Sequence, residues 1–171
     1  VMEFVDGKSI DIKPPRTLDV AVDIFYQTAM AMAHMHDKGF VHADMKPNNV
    51  VVDADWRVKL IDLGQSCPIN TVKPRIQGTP DFIAPEQARD ARKVDIRADI
   101  YSLGCTFYYL LTGKPPFPGG TDVQKLIRHQ TEKPFPIAEL RPGIPDDVTR
   151  ILTRMLEKRP EDRYPTPQAL A

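Results

Sequence analysis

Two acidic residues, an amine and an amide lie close together in one stretch of the sequence. Asp44, Lys46 and Asn49 belong to a single short segment, and Asp62 follows it and precedes Gly64. Carboxylate and amide oxygens suit Mg²⁺, which is usually completed by substrate phosphates and water. A second carboxylate can orient an attacking hydroxyl, and an ammonium can neutralise charge on a phosphoryl group. These residue types therefore indicate phosphoryl transfer, which depends mainly on positioning and charge stabilisation.

The composition excludes several classes of function. The chain has 171 residues, and its 23 Lys and Arg residues balance 23 Asp and Glu residues, so no bulk charge favours nucleic acid or an anionic membrane. Its apolar runs fall far short of the ~18 residues that a membrane span requires. Cys67 and Cys105 are too few for a disulfide scaffold or a zinc site. We expect a cytoplasmic globular protein, with any membrane anchor elsewhere in a larger parent protein.

The apolar periodicity predicts a mainly α-helical fold with one small β-hairpin. Helical spacing is clear over residues 17–38, 95–112 and 146–158, and the second of these is apolar nearly all round, as in a buried central helix. Two short apolar runs joined by turn residues predict a hairpin within 49–62. Residues 63–94 have no sustained period and contain four prolines, which indicates a long functional loop.

Three motifs occur in an order and spacing that are typical of one family. They are His42-Ala43-Asp44-Met45-Lys46-Pro47-Asn48-Asn49, then Asp62-Leu63-Gly64, then Ala84-Pro85-Glu86. Together they resemble the C-terminal lobe of a eukaryotic-type Ser/Thr protein kinase, and the similarity extends over the whole chain. The resemblance implies a protein-kinase-like C-terminal lobe as the fold.

The resemblance also implies a role for each residue in the first two motifs. Asp44 corresponds to the catalytic base, Lys46 contacts the transferred phosphate, and Asn49 and Asp62 bind Mg²⁺. The implied reaction transfers the γ-phosphoryl group of ATP to Ser or Thr hydroxyls of a protein substrate. ATP and Mg²⁺ are the implied cofactors.

Nucleotide-binding residues are implied in two further places. Glu3 and Val5 match the hinge positions whose backbone meets the adenine edge, and Met2 matches the gatekeeper. Val51 and Ile61 match the residues that form the floor of the nucleotide pocket.

Other residues match positions that support the active site. Glu86 and Arg163 resemble a buried ion pair that holds the substrate platform to the helical core. Asp99 resembles the central-helix aspartate that accepts hydrogen bonds from backbone amides of the catalytic loop, and His42 is expected to fix that loop. Thr79 matches the hydroxyl that braces the catalytic aspartate and lysine in kinases specific for Ser and Thr rather than Tyr.

The domain organisation follows from the same resemblance. The chain is expected to form one lobe, residues 1–171, comprising a hinge (1–7), a catalytic loop (42–49), an activation segment (62–86) and a helical substrate-binding subdomain (87–171). It contains no Gly-x-Gly-x-x-Gly segment, so we expect the N-terminal kinase lobe to be absent. The isolated chain should then be inactive or very weak, with a protein substrate and the missing lobe as partners. Apolar surface is expected to favour self-association near five residues: Val1, Phe4, Val5, Val51 and Ile61.

Two positions depart from the family pattern. Ala43 stands where regulated kinases carry an arginine that pairs with a phosphorylated activation segment, which puts activation by such phosphorylation in doubt. Leu63 replaces the usual phenylalanine after the metal-binding aspartate, a mild change between apolar residues.

Alternative interpretations of the sequence remain open. A catalytically silent kinase-like interaction module would share the fold, and a glycine-rich loop and lysine upstream would favour the enzyme instead. A small-molecule phosphotransferase of kinase-like fold would not be expected to carry the 78–86 segment, and a fragment of a designed or split protein is a third alternative. His34 and His36 point to different faces of a helix and make a poor metal pair. His129 is expected on the surface.

Overall fold

Helices account for most of the ordered elements in the computed structural model, which describes residues 5–15, 17–71, 78–90 and 95–170. The helices are α1 (Leu18–Asp37), α2 (Pro85–Arg89), α3 (Ile96–Thr112), α4 (Asp122–Thr131), α5 (Ile137–Leu140) and α6 (Asp146–Met155). The strands are β1 (Lys8–Ser9), β2 (Phe40–Val41), β3 (Val50–Val52), β4 (Val58–Leu60) and β5 (Cys67–Pro68). Single 3-10 turns occupy Pro47–Asn49, Leu63–Gln65, Pro160–Asp162 and Pro167–Leu170.

Helix α1 begins and ends at signals that are visible in the sequence. The Thr17 hydroxyl accepts a hydrogen bond from the Val20 backbone N–H at 3.4 Å, which satisfies one of the free donors of the first turn. Gly39 lies just beyond the last turn with φ of 84°, a left-handed conformation that glycine adopts without strain. The apolar side of α1 packs on α3, where the Phe25 and Phe107 rings stack with centroids 4.4 Å apart.

Helix α3 is the central helix of the molecule. The Asp95 carboxylate caps its first turn by accepting from Arg97 N at 2.8 Å, and Gly113 ends it in a left-handed conformation. Most of its side chains are buried, which agrees with the apolar pattern around the whole helix. At Gly104 it approaches α6 so closely that an added Cβ would lie 3.0 Å from Met155 Cβ. α3 is therefore packed tightly against α6 at this point.

Two small antiparallel sheets position the loops that carry the first two sequence motifs. β3 and β4 form the predicted hairpin with Val51 opposite Lys59, and β1 adds a third strand with Lys8 opposite Val52. In the second sheet, Val41 of β2 pairs with Cys67 of β5. The segments between these strands hold residues 42–49 and 61–66 beside each other.

The fold predicted from the sequence is confirmed: the described part is mainly helical, with the β3–β4 hairpin in the expected place. Residues 1–4, which include most of the predicted hinge, lie outside the described residues. The expectation that His129 is a surface residue is wrong, because its exposed fraction is 0%. Among the described residues, every helix is too short or too polar to be a candidate membrane span.

Candidate active site

A buried carboxylate on α3 fixes the backbone of the 42–49 loop. Asp99 is 1% exposed and accepts hydrogen bonds from His42 N at 2.7 Å and Ala43 N at 2.8 Å. Ala43 adopts a left-handed conformation with φ of 64°, which costs roughly 1–2 kcal/mol for a residue with a side chain, and these two bonds hold it there. His36 Nε2 lies 2.8 Å from Asp99 Oδ2 and secures the carboxylate from the α1 side.

Three side chains close a ring at the centre of the site. Lys46 Nζ donates to Asp44 Oδ2 at 2.7 Å and to Thr79 Oγ1 at 3.0 Å. Thr79 Oγ1 in turn donates to Asp44 Oδ1 at 2.8 Å. Thr79, which follows Lys46 by 33 positions and Asp44 by 35, thus contacts both side chains. Each carboxylate oxygen of Asp44 has one fixed donor. Such a carboxylate is pre-oriented, because rotating it would break two charge-assisted hydrogen bonds.

A backbone hydrogen bond joins Asn49 to the residue before Asp62. Asn49 is buried, and its Nδ2 donates to the Asp44 backbone O at 2.9 Å, which leaves its Oδ1 available as a ligand. Ile61 N donates to Asn49 O at 3.0 Å, so the residue before Asp62 is tied directly to the loop. Asp62 is left-handed, with φ of 60° and ψ of 70°, and accepts from Gly64 N at 3.3 Å. Its side chain is exposed.

His42 lies beneath the loop and is fully buried. Its Nδ1 accepts from Asp44 N at 3.4 Å, and its Nε2 lies 3.4 Å from Ile61 O. These bonds are long, but they come from both sides of the ring and join the loop to the end of β4. His42 is thus placed to support the loop rather than to meet a substrate.

The oxygens of Asn49 and Asp62 fit a magnesium ion by their chemistry. Mg²⁺ takes hard oxygen ligands and commonly uses one or two protein groups, with phosphates and water completing its shell. The described part of the chain holds no group of three or more His, Cys, Asp or Glu side chains that could bind a metal alone.

The structure describes only some of the predicted nucleotide contacts. Val51 lies in β3 and is 7% exposed, so it adds little to any exposed apolar surface, contrary to our expectation. Val5 and Ile61 are half-buried, and Leu63 is 59% exposed. Glu3, like Met2, lies outside the described residues.

A buried arginine joins α2 to the helical core. Arg163 donates through two nitrogens to Glu86, at 2.7 and 2.8 Å, with 0% of its own side chain exposed. Its remaining donors reach the backbone oxygens of Arg97, Glu157 and Lys158 at 2.9, 2.7 and 3.1 Å. All five guanidinium donors are therefore used, so the buried charge is fully compensated.

Two supporting residues were not identified in the sequence. Gln87 follows Glu86, and its amide donates to Ala43 O at 3.1 Å while its oxygen accepts from Ala84 N at 3.1 Å. It therefore ties α2 to the 42–49 loop. His36 holds Asp99, whereas the sequence indicated only that it makes a poor metal pair with His34. Neither residue belongs to a local motif, and both act through contacts distant in sequence, so spacing alone gave no signal.

The chain is similar to serine/threonine-protein kinases of several bacteria. It is 36% identical to the serine/threonine-protein kinase PknB of Mycobacterium tuberculosis and 37% identical to that of Mycobacterium leprae, over 97% of this chain and 28% of each relative. A probable serine/threonine-protein kinase of Streptomyces coelicolor is 34% identical over 96% of this chain and 26% of its own length. The chain thus spans little more than a quarter of these relatives. The sequence profile described as "Protein kinase domain" matches residues 1–171. The chain belongs to the protein kinase domain family.

Proposed function

We propose that this chain forms the catalytic and substrate-binding lobe of a Ser/Thr protein kinase, which transfers the γ-phosphoryl group of ATP to Ser or Thr hydroxyls of proteins. The observation that carries the proposal is the ring of Asp44, Lys46 and Thr79, with Thr79 Oγ1 2.8 Å from Asp44 and 3.0 Å from Lys46. Thr79 lies in the proposed activation segment, which would hold a protein substrate. Its hydroxyl therefore connects that segment to Asp44 and Lys46. The names of the relatives support the same activity.

In this proposal Asp44 orients the attacking hydroxyl and accepts its proton. Its two oxygens already hold one donor each, so the carboxylate presents its remaining lone pairs in a fixed direction. Lys46 carries a positive charge beside the same point and offsets the charge on the phosphoryl group during transfer. Thr79 holds the Asp44 and Lys46 side chains in fixed positions relative to each other.

Asn49 and Asp62 are the proposed magnesium ligands. When bound, Mg²⁺ neutralises charge on the phosphates and helps to align them with the hydroxyl. Asn49 contributes Oδ1 from a buried position, and Asp62 contributes a carboxylate from a left-handed turn. Glu3 and Val5 at the hinge, with Val51 and Ile61 below the nucleotide, are the proposed contacts of the adenosine part.

The segment boundaries predicted from the sequence are part of the same proposal. Residues 1–7 form the hinge, 42–49 the catalytic loop, 62–86 the activation segment and 87–171 the substrate-binding subdomain. Glu86 and Arg163 hold the activation segment to the core, and Asp99 and His42 hold the loop. The partners are a protein substrate and an N-terminal lobe, and the lobe acts in the cytoplasm, where ATP is available.

The chain alone should transfer phosphate very weakly, because its own sequence lacks a glycine-rich loop to cover the phosphates. The test incubates the full-length gene product and the 171-residue chain with γ-labelled ATP, Mg²⁺ and a protein substrate. Acid hydrolysis then identifies the labelled residues. We expect labelled phosphoserine or phosphothreonine from the full-length protein only. Label confined to phosphotyrosine or to small molecules would overturn the proposal.

A further inference from the structure

The peptide unit between Ala43 and Asp44 is held at both of its polar atoms. Ala43 O accepts a hydrogen bond from Gln87 Nε2 at 3.1 Å, and Asp44 N donates to His42 Nδ1 at 3.4 Å. A peptide unit is planar, so these two bonds fix the plane that contains the Cα atom of Asp44. The direction in which the Asp44 side chain leaves the backbone therefore depends on Gln87 as well as on His42.

Gln87 reaches this peptide from the proposed activation segment. It is the third residue of α2, and its exposed fraction is 4%. Its Oε1 accepts from the backbone N–H of Ala84, the residue before the helix, at 3.1 Å, while its Nε2 donates to Ala43 O. An N–H only donates and a carbonyl oxygen only accepts, so these two partners allow one orientation of the amide. A single buried side chain thus joins the first turn of α2 to the 42–49 loop.

The start of α2 requires only one of these two hydrogen bonds. A Gln or Glu at the third helical position commonly accepts from the N–H of the residue before the helix. Gln124 does so at the start of α4, where its exposed side chain accepts from Thr121 N at 2.8 Å. The bond from Gln87 to Ala43 is additional to this helix-capping contact, and it joins α2 to a segment more than 40 positions earlier in the chain.

The same segment is attached to Asp44 at a second point. Thr79 Oγ1 donates to Asp44 Oδ1 at 2.8 Å, and Phe82 N donates to Thr79 O at 2.9 Å, which closes a turn. Phe82 and Ala84, between the two points of attachment, are buried. Thr79 therefore holds the carboxylate of Asp44, whereas Gln87 holds the backbone that carries it.

We propose that Gln87 is a positioning residue of the phosphoryl-transfer reaction: its buried amide holds the Ala43 carbonyl and so sets the backbone from which Asp44 reaches the attacking hydroxyl. This inference rests on the proposed function, because the reaction is what the positioning serves. Gln87 acts through the peptide unit before Asp44 rather than by contact with nucleotide or substrate. Its loss should therefore lower the rate of transfer and leave ATP binding unchanged.

Gln87→Glu in the full-length gene product separates the two hydrogen bonds. At pH 8 the carboxylate still accepts from Ala84 N, as an acidic residue at the third helical position does, but it cannot donate to Ala43 O. We expect kcat to fall about tenfold, as the loss of one buried hydrogen bond allows, with KM for ATP unchanged. Gln87→Met removes both bonds and should lose at least as much.

Protonation of the introduced carboxylate should restore the missing donor. A carboxylic acid can donate to Ala43 O, and burial beside a carbonyl oxygen raises the pKa of the new side chain. The kcat of Gln87→Glu relative to wild type should therefore rise as the pH falls from 8 to 6, because the other ionisable groups are common to both proteins. Gln124→Glu makes the same change at the exposed start of α4, and its relative kcat should not vary with pH. A Gln87→Glu variant with wild-type kcat at pH 8, or with the same loss at both pH values, would overturn the inference.

Hydrogen exchange supplies a readout that does not depend on activity. At pH 8 we expect faster exchange at residues 42–45 in Gln87→Glu than in wild type, with the Ala84 amide unchanged because its acceptor is kept. Unchanged exchange at residues 42–45, or faster exchange spread evenly over the molecule, would overturn the inference. If the wild-type protein transfers no phosphate, the proposed function fails, and the exchange at residues 42–45 still decides whether Gln87 holds the loop.

Discussion

The proposed chemistry depends on Thr79, because this one side chain contacts both Asp44 and Lys46. Its hydroxyl accepts from Lys46 and donates to Asp44, so two charged groups share one small side chain. Thr79→Ala should lower kcat about tenfold or more, because each charge-assisted hydrogen bond is worth about 1.5–3 kcal/mol and both are lost. Thr79→Ser keeps the hydroxyl and serves as the control. Steady-state kinetics that show equal losses in both variants would assign the effect to the methyl group instead.

His129 makes stability depend on pH in a predictable direction. Its pKa is about 4 in the folded protein, mainly because of burial, against about 6.5 in an unfolded chain. Between these values the unfolded state binds more protons, so the contribution of neutral His129 is complete above pH 6.5 and is lost as the pH falls. From pH 7 to pH 5 the free energy of unfolding should fall by about 2 kcal/mol on this account.

Urea unfolding at the two pH values measures this dependence. His129→Gln cannot titrate, so its stability should fall by about 2 kcal/mol less than that of the wild type over the same interval. The other acidic and basic groups contribute equally to both proteins. The same pH dependence in both would show that His129 is not buried in its neutral form.

The Glu86–Arg163 pair joins helix α2 to the turn after helix α6. Glu86→Gln should destabilise the protein by about 3–5 kcal/mol, because the buried Arg163 charge would lose its only acidic partner among the described residues. Arg163→Lys should also destabilise it, since a lysine cannot form the two parallel bonds. Urea unfolding at neutral pH measures both. A loss below about 1 kcal/mol, the value of an exposed pair, would contradict the buried geometry.

Sequence periodicity predicted the long elements, and physical reasons explain the omissions. α1, α3 and α6 each bury one or more apolar faces over several turns, so their patterns are strong. β1 has two residues and α2 has five, which is too few for a period to appear. α4 was not assigned, because Val123 and Ile127 on it are exposed and its one fully buried side chain is His129. That omission is why His129 was placed on the surface.

The sequence was enough to select some residues of the candidate site but not to predict how they are positioned. Asp44, Lys46, Asn49 and Asp62 could be selected from the sequence, because their types and spacing match a motif. Their mutual geometry depends on Asp99 and Gln87, which reach the loop backbone from helices that follow it by many residues. The role of Gln87 required the fold, since a glutamine at that point has no distinctive chemistry by itself.

We expect the 171-residue chain to self-associate. Leu63 is 59% exposed beside the half-buried Ile61, at the edge of the proposed nucleotide site. Exposed apolar surface of this kind favours association. Sedimentation velocity over a range of concentrations should show a rising average mass, and Leu63→Gln should reduce the rise. A single monomeric boundary at every concentration would contradict this expectation.

In the proposed reaction Asp44 orients the attacking hydroxyl, whereas Asp62 binds Mg²⁺ at the same site. Single-turnover transfer from γ-labelled ATP to a protein substrate, measured with the full-length gene product at varied Mg²⁺, tests it directly. Asp44→Asn should lower the rate by about 10²–10⁴ with an unchanged Mg²⁺ requirement. Asp62→Asn should raise the Mg²⁺ concentration needed for half-maximal rate. Wild-type protein that transfers no phosphate at any Mg²⁺ concentration, or variants that match it, would contradict the account and favour a catalytically silent kinase-like module.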